Sequence, residues 1–393
     1  MSSDYAHLDV GDDAEFRALL RTFLTEHGPG KRPKDPAGRL DWQRRWQAVL
    51  FDGRWAGPSW PRDCGGMDLP FTRQVIYSEE LARARVPNPP GTGVGIAGPT
   101  IIKYGTDEQR ARWLPALLRA DQVWAQGYSE PEAGSDLPSL RTTARRDGDD
   151  YVVTGQKVWS TQAQIADVLF ALVRTGTQES RQNGITYLVL DLHAPGVTVR
   201  PLRDLTGGAA FGEVFLDEVR VPVTNRIGAE NEGWRLARTS LGHERAAGAM
   251  IQASFYQRVF GELVALARER GTAADPVWSR RLADLGIRVK IMALNAASTI
   301  AAIEATGEPG PASSVSRLYN STLEQELHEI AVDMLGPYGL LDGGPDAVQR
   351  GRWVGGFLRT RASTIGAGTA EIQRNTIAEQ VLGLPRDPAM PPR

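Results

Sequence analysis

The sequence predicts an α+β protein in which a middle β domain separates two helical domains. Apolar residues recur at helical spacing in the N-terminal part of the chain, and short β-branched and aromatic runs separated by turn residues fill the middle. Long helical stretches without internal proline follow. A chain of 393 residues also exceeds the roughly 250–300 residues that one hydrophobic core usually serves. The expected domains are a helical domain at 1–121, a β-barrel or sandwich at 122–230 and a four-helix bundle at 231–393.

The N-terminal domain is predicted to be helical because its apolar residues are spaced three and four apart. Proline- and glycine-rich segments at 57–61 and 87–95 interrupt the helices. The glycines at 91, 93 and 95 resemble a dinucleotide-binding loop, but a proline-rich loop rather than a strand precedes them, so we interpret them as a flexible loop. The clearest apolar sets are Phe16, Leu19, Leu20 and Phe23, then Trp113, Leu114, Leu117 and Leu118.

The middle domain is predicted to be a set of short antiparallel strands. Residues 142–146 and 151–154 should form a hairpin, because Asp147-Gly148 supplies the positive φ angles of a tight two-residue turn. Even spacing of short strands favours a small barrel or sandwich over alternating strands and helices. Further strands are expected at 168–173, 185–190, 197–201 and 212–217.

The C-terminal domain is predicted to be a bundle of four helices. Three of them are long and contain no proline inside the helix. The last is expected to begin near Ala370 and to end at Gly383, with Pro385 beyond it. The three long helices are expected at 234–270, 276–305 and 313–335, and the apolar residues of the third are expected near a subunit interface.

Composition excludes several classes of function. A net charge of −2 lacks the basic footprint of a dedicated nucleic-acid-binding protein. The single cysteine, Cys64, allows neither an internal disulfide nor a cysteine zinc site, and the five histidines show no metal-ligand spacing. No stretch approaches the ~20 apolar residues that span a bilayer, and the N-terminus lacks signal-peptide features. We therefore expect a cytoplasmic protein without metal, membrane or nucleic acid.

Three segments carry possible site chemistry. Residues 128–136 form a polar loop after an apolar strand, which is either a surface loop or a set of hydroxyl and N–H groups around a ligand. In residues 157–161, Trp159 is most simply a core residue. Glu244 stands among small residues on a long helix, where burial statistics favour a surface position over the wall of a pocket.

Taken together, these segments resemble the acyl-CoA dehydrogenase family of flavoproteins, and the resemblance covers nearly the whole chain. The family fold is an N-terminal helical domain, a middle β-barrel and a C-terminal four-helix bundle. The resemblance therefore implies that fold, FAD as cofactor and an acyl-CoA as substrate. The segments that carry it lie at 55–61, 79–82, 104–109, 128–136, 157–161 and 368–374.

The resemblance also implies which residues bind FAD. Ser129 would hydrogen-bond the pyrimidine side of the flavin, Trp159 would pack on the ring and Thr161 would face N5. Tyr128 and Ser160 belong to the same two segments. Ser135 would contact the pyrophosphate or the CoA chain, and the adenosine half would contact Arg270, Thr369 and Glu371.

The implied reaction is the α,β-dehydrogenation of an acyl thioester to the trans-2-enoyl product, with flavin N5 as the hydride acceptor. Many family members carry the catalytic base immediately before the Gly-Thr pair, where this chain has Ala367. Isovaleryl- and long-chain-type members carry it on the first bundle helix before an arginine, which points to Glu244 and Arg245. The backbone N–H of Ala367 would still bind the thioester carbonyl and stabilise the charge that develops there.

Two departures from the family pattern affect the adenosine half of the site. Only Arg270 remains of the usual Arg-x-x-Phe-Gly, and Asp333 replaces the glutamine of Gln-x-x-Gly-Gly. With these two departures, either FAD binds in a different way from that in the family, or a partner chain supplies part of the adenosine site. Some actinobacterial-type members are heterotetramers, so a homotetramer and a heterotetramer both stay open.

Alternatives to an acyl-CoA dehydrogenase also stay open. The same fold could act on a carrier-protein-bound acyl group, work as an oxidase or monooxygenase, or serve as a non-catalytic subunit of a heteromeric enzyme. The resemblance implies electron-transfer flavoprotein as the electron acceptor and a place in lipid β-oxidation. The small residues that flank Glu244 suggest a branched or bulky acyl group.

Overall fold

The computed structural model describes residues 5–306, 310 and 313–386, apart from the side chains of residues 6, 241–251, 300, 303, 304 and 306. The chain forms two compact units, which we describe separately. The first comprises Met1–Asp204 and Gly208–Glu244, and the second comprises Leu205–Gly207 and Arg245–Arg393.

Three of the N-terminal helices of the first unit, the first, second and fifth, begin at side-chain caps that bind otherwise unpaired backbone N–H groups. Asp12 accepts from the N–H of Glu15, and Thr106 and Gln109 form a reciprocal capping box. The amide of Gln109 also donates to two backbone carbonyls beyond the last long strand, so this helix is tied to the β domain. The helices are α1 Asp13–His27, α2 Pro36–Asp52, α3 Phe71–Ala84, α4 Gly98–Tyr104 and α5 Asp107–Arg119.

A buried carboxylate joins the first and third helices. The side chain of Glu80 is 1% exposed and accepts hydrogen bonds from Arg17, Arg21 and Arg83. Burial works to raise the pKa of Glu80, but the three guanidinium groups outweigh it and lower the pKa to about 2. Glu80 is therefore ionised, and α1 and α3 are held together by charge as well as by apolar packing.

The middle β domain is one sheet of eight strands in the order β6-β7-β3-β2-β4-β5-β8, with β1 parallel to β4. The hairpin at its centre is confirmed, but its turn lies one residue later than expected. Asp147 pairs with Asp150, so the loop residues are Gly148 and Asp149, with Gly148 at φ +63°. The strands are β1 Trp124–Gly127, β2 Thr143–Asp147, β3 Asp150–Thr161, β4 Val168–Arg174, β5 Ile185–Asp191, β6 Val197–Leu202, β7 Phe211–Pro222 and β8 Arg226–Ile227.

Strand β4 is buried along its whole length because both of its faces meet apolar cores. Phe170 and Leu172 face the core shared with the N-terminal helices, whereas Leu169 and Ala171 face a core formed by the sheet itself. A strand covered on both faces has a continuous apolar run rather than an alternation. The β domain and the N-terminal helices therefore form one unit.

The glycine-rich segment near residue 91 is packed against β1, which corrects the expectation of a flexible loop. The N–H of Gly91 donates to Gln162 Oε1 at 2.7 Å, and the N–H of Thr92 donates to the Trp124 carbonyl at 2.8 Å. Gly91 has φ +72°, and a Cβ there would lie 2.5 Å from the Trp124 carbonyl oxygen. Only glycine fits this close approach of two backbones.

The second unit is a helical bundle. The helix α6 Gly233–Glu269 begins in the first unit and continues into the second, followed by α7 Pro276–Thr306 and α8 Ser313–Leu335 as expected. Two features differ from expectation. A further helix, α9 Arg352–Thr360, places Trp353 in the core, and the last helix, α10 Ala370–Thr376, ends early in a π-turn, Ile377–Val381.

The apolar residues of α8 are largely used inside the second unit. Leu323, Leu327 and Ile330 lie in its core, whereas α7 exposes Ile287 and Leu294. In the part of the chain that the structure describes, no helix is long and apolar enough to cross a membrane. The same residues contain no group of three or more side chains suited to hold a metal ion.

Candidate active site

Trp159 lies at a β-bulge near the end of β3. Lys157 pairs with Val214 and Ser160 with Gly212, so Val158 and Trp159 together stand opposite one residue of β7. Trp159 has φ +59° and its side chain is 56% exposed, which corrects the simple expectation of a core residue. A bulky residue in the left-handed region costs of the order of 1–3 kcal/mol, and such strain clusters at functional sites.

The two residues after the bulge present hydroxyl groups. Ser160 is 1% exposed, and its Oγ has no hydrogen-bond partner among the described residues. Thr161 is half-buried and pairs with Phe211, whose ring meets Trp159 edge-on at 5.8 Å between centroids. An unpaired buried hydroxyl costs about 1–3 kcal/mol, so a ligand or water that reached Ser160 would be stabilised there.

The loop after β1 lies directly beside this bulge. The carbonyl of Ser129 accepts from the N–H of Val158 at 2.9 Å, so the structure brings Ser129 and Trp159 together. Tyr128 turns its ring inward instead, with centroids 5.9 Å from Phe170 and 6.2 Å from Tyr187. Ser129 is half-buried, whereas the Tyr128 ring is a core group that can serve a ligand only through the loop it anchors.

A buried ion pair beneath the bulge is absent from the sequence-based prediction. Lys157 is 0% exposed, and its Nζ lies 2.7 Å from Glu130 Oε1. Glu130 also accepts the backbone N–H groups of Arg141 at 2.6 Å and Thr142 at 2.9 Å. Burial works to raise the pKa of Glu130, but the Lys157 charge and these donors lower it, so Glu130 is ionised. The available signal was the two-residue period of the strand, because Lys157 lies an even number of residues from the apolar Tyr151 and Val153.

Ser135 is exposed, and a second buried cation fixes the chain that follows it. Arg174 donates to the carbonyls of Pro138 at 2.6 Å and Leu140 at 3.3 Å. Arg181 adds an ion pair of 2.5 Å to Asp136. Arg174 was also missed from the sequence, because a single arginine at the end of a strand carries no pattern that identifies its partners.

The first turns of α6 are anchored by a cluster of buried hydroxyl groups in the first unit. The Oγ of Ser240 lies 2.5 Å from the Oγ1 of Thr100 on α4, and the Tyr187 phenol lies against both. Glu244 follows Ser240 by four residues on the same helix. The side chains of Glu244 and Arg245 lie outside the described residues, so their roles stay predictions.

In the second unit, Ala367 stands in a tight backbone turn before α10. Ala367 has φ +53° and Gly368 has φ +90°. A Cβ on Gly368 would lie 2.4 Å from Gln373 Nε2, which donates to the carbonyls of both residues. Ala367 is exposed, and within the described residues no hydrogen bond uses its N–H. This N–H is therefore available to a ligand.

Helix α8 holds the chain that leads into this turn. Arg317 donates to the carbonyls of Ser363 at 2.7 Å and Gly366 at 2.8 Å. Ser363 in turn donates its hydroxyl to Glu324 Oε2 at 2.5 Å. Burial raises the pKa of Glu324, although Ser363, Arg317 and the nearby Tyr256 phenol oppose that rise. The conformation before Ala367 thus depends on buried polar groups of α8.

The remaining candidate residues of the second unit do not all come together. The Thr369 hydroxyl accepts from the N–H of Ile372 as the cap of α10, and the exposed Glu371 lies 3.5 Å from Arg374. Arg270 is exposed and lies over the Tyr338 ring at 5.5 Å instead. Asp333, which replaces the glutamine of the family pattern, forms an ion pair of 2.9 Å with Arg281. Its charge is therefore partly compensated within the chain.

The donor set around the bulge fits a planar heteroaromatic group with a hydrogen-bonding edge. An exposed tryptophan face, an unpaired buried serine hydroxyl and the hydroxyls of Ser129 and Thr161 lie on two adjoining segments. Aromatic rings gain free energy by stacking on one another, and buried polar edges need partners. These residues fit the isoalloxazine ring of a flavin.

The comparison with family models identifies all three parts of the chain. Models described as the acyl-CoA dehydrogenase N-terminal, middle and C-terminal domains match residues 11–121, 125–219 and 231–382. The fold and the matched domains define an oxidoreductase. The chain belongs to the acyl-CoA dehydrogenase family, whose members are flavoproteins, so the expected family, fold class and enzyme class are confirmed.

Relatives and solved structures agree over nearly the full length. The chain is 38% identical over 389 residues to the acyl-CoA dehydrogenase IpdE1 of Mycobacterium tuberculosis, covering 96% of this chain and 99% of that protein. It is 36% identical to FadE26 of the same organism, with 95% and 93% covered. A structure described as the Tcur3481-Tcur3483 steroid ACAD has 31% identity and a TM-score of 0.86, with 95% and 98% covered. The ChsE4-ChsE5 complex from Mycobacterium tuberculosis has 31% identity and a TM-score of 0.81, with 96% and 100% covered.

Proposed function

We propose that this protein uses FAD to dehydrogenate the acyl-CoA thioester of a steroid-derived acid to its trans-2-enoyl-CoA. Flavin binding is supported by the β-bulge, which exposes Trp159 and hydrogen-bonds the neighbouring Val158 to the loop that carries Ser129. The substrate class is favoured by the 31% identity to the protein described as a steroid ACAD over 95% of this chain. When bound, FAD supplies an acceptor for the β hydrogen and its electron pair.

In this proposal the flavin ring lies against Trp159, with Ser129, Ser160 and Thr161 as hydrogen-bonding groups. Tyr128 contributes by anchoring the loop that carries Ser129. Ser135 would serve the pyrophosphate or the CoA chain. We propose that Arg270, Thr369 and Glu371 bind the adenosine half of FAD. Arg270 is about 100 residues from the other two in sequence and lies over the Tyr338 ring.

Glu244 is proposed to take the acidic α proton, because the carboxylate that many relatives carry before Gly-Thr is replaced by Ala367. Arg245 follows it directly on α6. The exposed N–H of Ala367 would donate to the thioester carbonyl and stabilise the negative charge that grows there as the proton leaves. Its geometry depends on the backbone alone, so the loss of the side-chain carboxylate leaves this donor intact.

A bulky acyl group is consistent with the small residues before α10. Among the described residues, a Cβ added to Gly366 would meet only the Ala362 carbonyl oxygen, at 3.6 Å, within the distance of an ordinary contact. These residues therefore leave space beside Gly366. We propose that the acyl group uses part of that space.

We further propose a tetrameric assembly, with electron-transfer flavoprotein as the acceptor and a cytoplasmic role in β-oxidation. The similar ChsE4-ChsE5 structure is a complex of two proteins, which favours a heterotetramer of this chain with a related subunit over a homotetramer. The exposed apolar residues of α7, Ile287, Ile291 and Leu294, support burial against another chain. Domain limits at 121/122 and 230/231 also stay proposals.

Anaerobic titration of the purified yellow protein tests the function. A CoA thioester of a steroid side-chain acid should bleach the visible flavin absorbance at stoichiometric amounts, whereas a straight-chain acyl-CoA of similar length should do so weakly. Bleaching by straight chains alone would overturn the substrate class. A protein that holds FAD but is bleached by no acyl-CoA would overturn the dehydrogenase assignment, and a protein without FAD, with or without a related subunit, would favour a non-catalytic role.

A further inference from the structure

We propose that Glu130 and Lys157 are positioning residues that hold Ser129 and Trp159 in the arrangement that binds the flavin ring. The proposal rests on the function proposed above. Both side chains are buried, and their charged atoms lie 2.7 Å apart. Glu130 directly follows Ser129, and Lys157 precedes Trp159 by two residues. Ser129 and Trp159 therefore each lie within two residues of one member of the ion pair.

The pair joins three separate segments through hydrogen bonds. Lys157 Nζ donates to Glu130 Oε1 and, at 3.3 Å, to the carbonyl of Tyr128. Glu130 accepts the N–H groups of Arg141 and Thr142, so the chain before β2 is fixed to the same carboxylate. The loop after β1, the chain just before β2 and the end of β3 are thus all hydrogen-bonded to this ion pair.

The bulge needs such a centre because its backbone conformation is unfavourable. Trp159 has φ +59°, which a bulky side chain adopts only when the surrounding structure imposes it. The ion pair holds Lys157, the residue just before Val158, and the hydrogen bond from the Val158 N–H to the Ser129 carbonyl restrains the bulge a second time. If Trp159 relaxed to the extended conformation, its ring would leave its present position, edge-on to Phe211.

A role in stability alone does not account for the choice of charged residues. Buried ion pairs can often be replaced by apolar residues of similar volume with little loss of stability, because burial removes two charges from water. An apolar pair could fill the same space, but it could not bind the Tyr128 carbonyl and two backbone N–H groups together. The charges therefore specify the geometry of this region.

The double variant Glu130→Gln/Lys157→Met separates positioning from stability. Because both charged groups are replaced together, no unpaired charge stays buried, and we expect a thermal midpoint close to that of the parent protein. We expect the Kd for FAD, measured by fluorescence titration of the deflavinated protein, to rise about 10- to 100-fold, the range found when outer-shell partners of a bound metal are removed. The visible absorbance bands of the bound flavin should also shift.

A control and a second variant keep the test decisive. Glu230→Gln removes the carboxylate that binds the Tyr151 phenol near the start of β3, and it should leave the Kd for FAD unchanged. If the double variant does not fold, Glu130→Asp, which keeps the charge and draws the carboxylate away from Lys157, should show a smaller rise in Kd. A double variant or a Glu130→Asp variant that binds FAD as tightly as the parent overturns the positioning role. A parent protein that binds no FAD overturns the proposed function instead.

Discussion

The hydroxyl oxygen of Thr100 lies 2.5 Å from that of Ser240, with both side chains fully buried. This contact ties the short helix α4 to the first turns of α6, four residues before Glu244. Each hydroxyl also lies within hydrogen-bond distance of the carbonyl four residues earlier, that of Ile96 for Thr100 and that of Leu236 for Ser240. The start of the helix that carries the proposed base is therefore held by polar contacts within the first unit.

Thr100→Val keeps the shape of the side chain and removes its hydroxyl. We expect a loss of about 1 kcal/mol in the free energy of unfolding, because Ser240 loses a buried partner. The measurement is the midpoint of thermal unfolding, which should fall by about 1–2 °C in a chain of this size. Thr239→Val is the matched control, since Thr239 is only half-buried and pairs with the Tyr104 phenol at 2.8 Å. An equal fall of the thermal midpoint in the two variants would contradict the claim that the buried hydroxyl pair stabilises the protein more than the half-buried one.

Glu244→Gln should keep FAD and lose turnover by about 10²- to 10⁴-fold, because the amide cannot accept the α proton. Adding Ala367→Glu should restore part of the rate, because the family resemblance implies that a carboxylate at either position can reach the α carbon. Glu232→Gln serves as the control, because Glu232 is partly exposed, is paired with Arg235 at 2.8 Å and precedes the same helix. Turnover at the parental rate in Glu244→Gln would place the base elsewhere.

Glu80→Gln should destabilise the protein by about 3 kcal/mol at neutral pH, the equivalent of a pKa lowered from 4.5 to about 2. A lowered pKa contributes stability above the unfolded value of 4.5, and that contribution is lost as the pH falls towards 2. Urea unfolding at a series of pH values should therefore show the parent and the variant converging in acid. A difference that stays constant with pH would show that only packing was lost.

Glu324→Gln should have the opposite pH dependence. Because the folded protein raises the pKa of Glu324, the unfolded chain releases this proton at a lower pH, and stability falls as the pH rises through the folded value. The variant mimics the protonated acid, so its thermal midpoint should decline less than that of the parent as the pH rises above the ordinary carboxyl value of 4.5. A steeper decline in the variant would mean that the carboxylate is the stabilising form.

Much of the fold could be predicted because helix and strand periodicity is local. The three long helices of the second unit and the central hairpin follow from apolar spacing and turn residues. Helix α9 was missed because it is short and its glycines, Gly355 and Gly356, resemble a loop. The close approach of Gly91 to the Trp124 carbonyl likewise cannot be predicted from one segment alone.

The site was only partly accessible from the sequence. Ser129 and Trp159 were found through motifs, yet their contact depends on a hydrogen bond between two separate segments. The pairing of Lys157 with Glu130 joins residues from the same two segments, and no local pattern links them. Partners across a sheet are set by topology, so they emerge only when the chain is folded.

The left-handed backbone of Trp159 also bears on how this enzyme would respond to selection. Glycine or asparagine at this position would adopt the same conformation at less cost. A laboratory search for heat resistance alone would therefore favour replacing Trp159 and would discard the aromatic surface with it. Under the proposed function, the tryptophan would survive such a search only if cofactor binding were selected at the same time, and stability and catalysis would then compete at this residue.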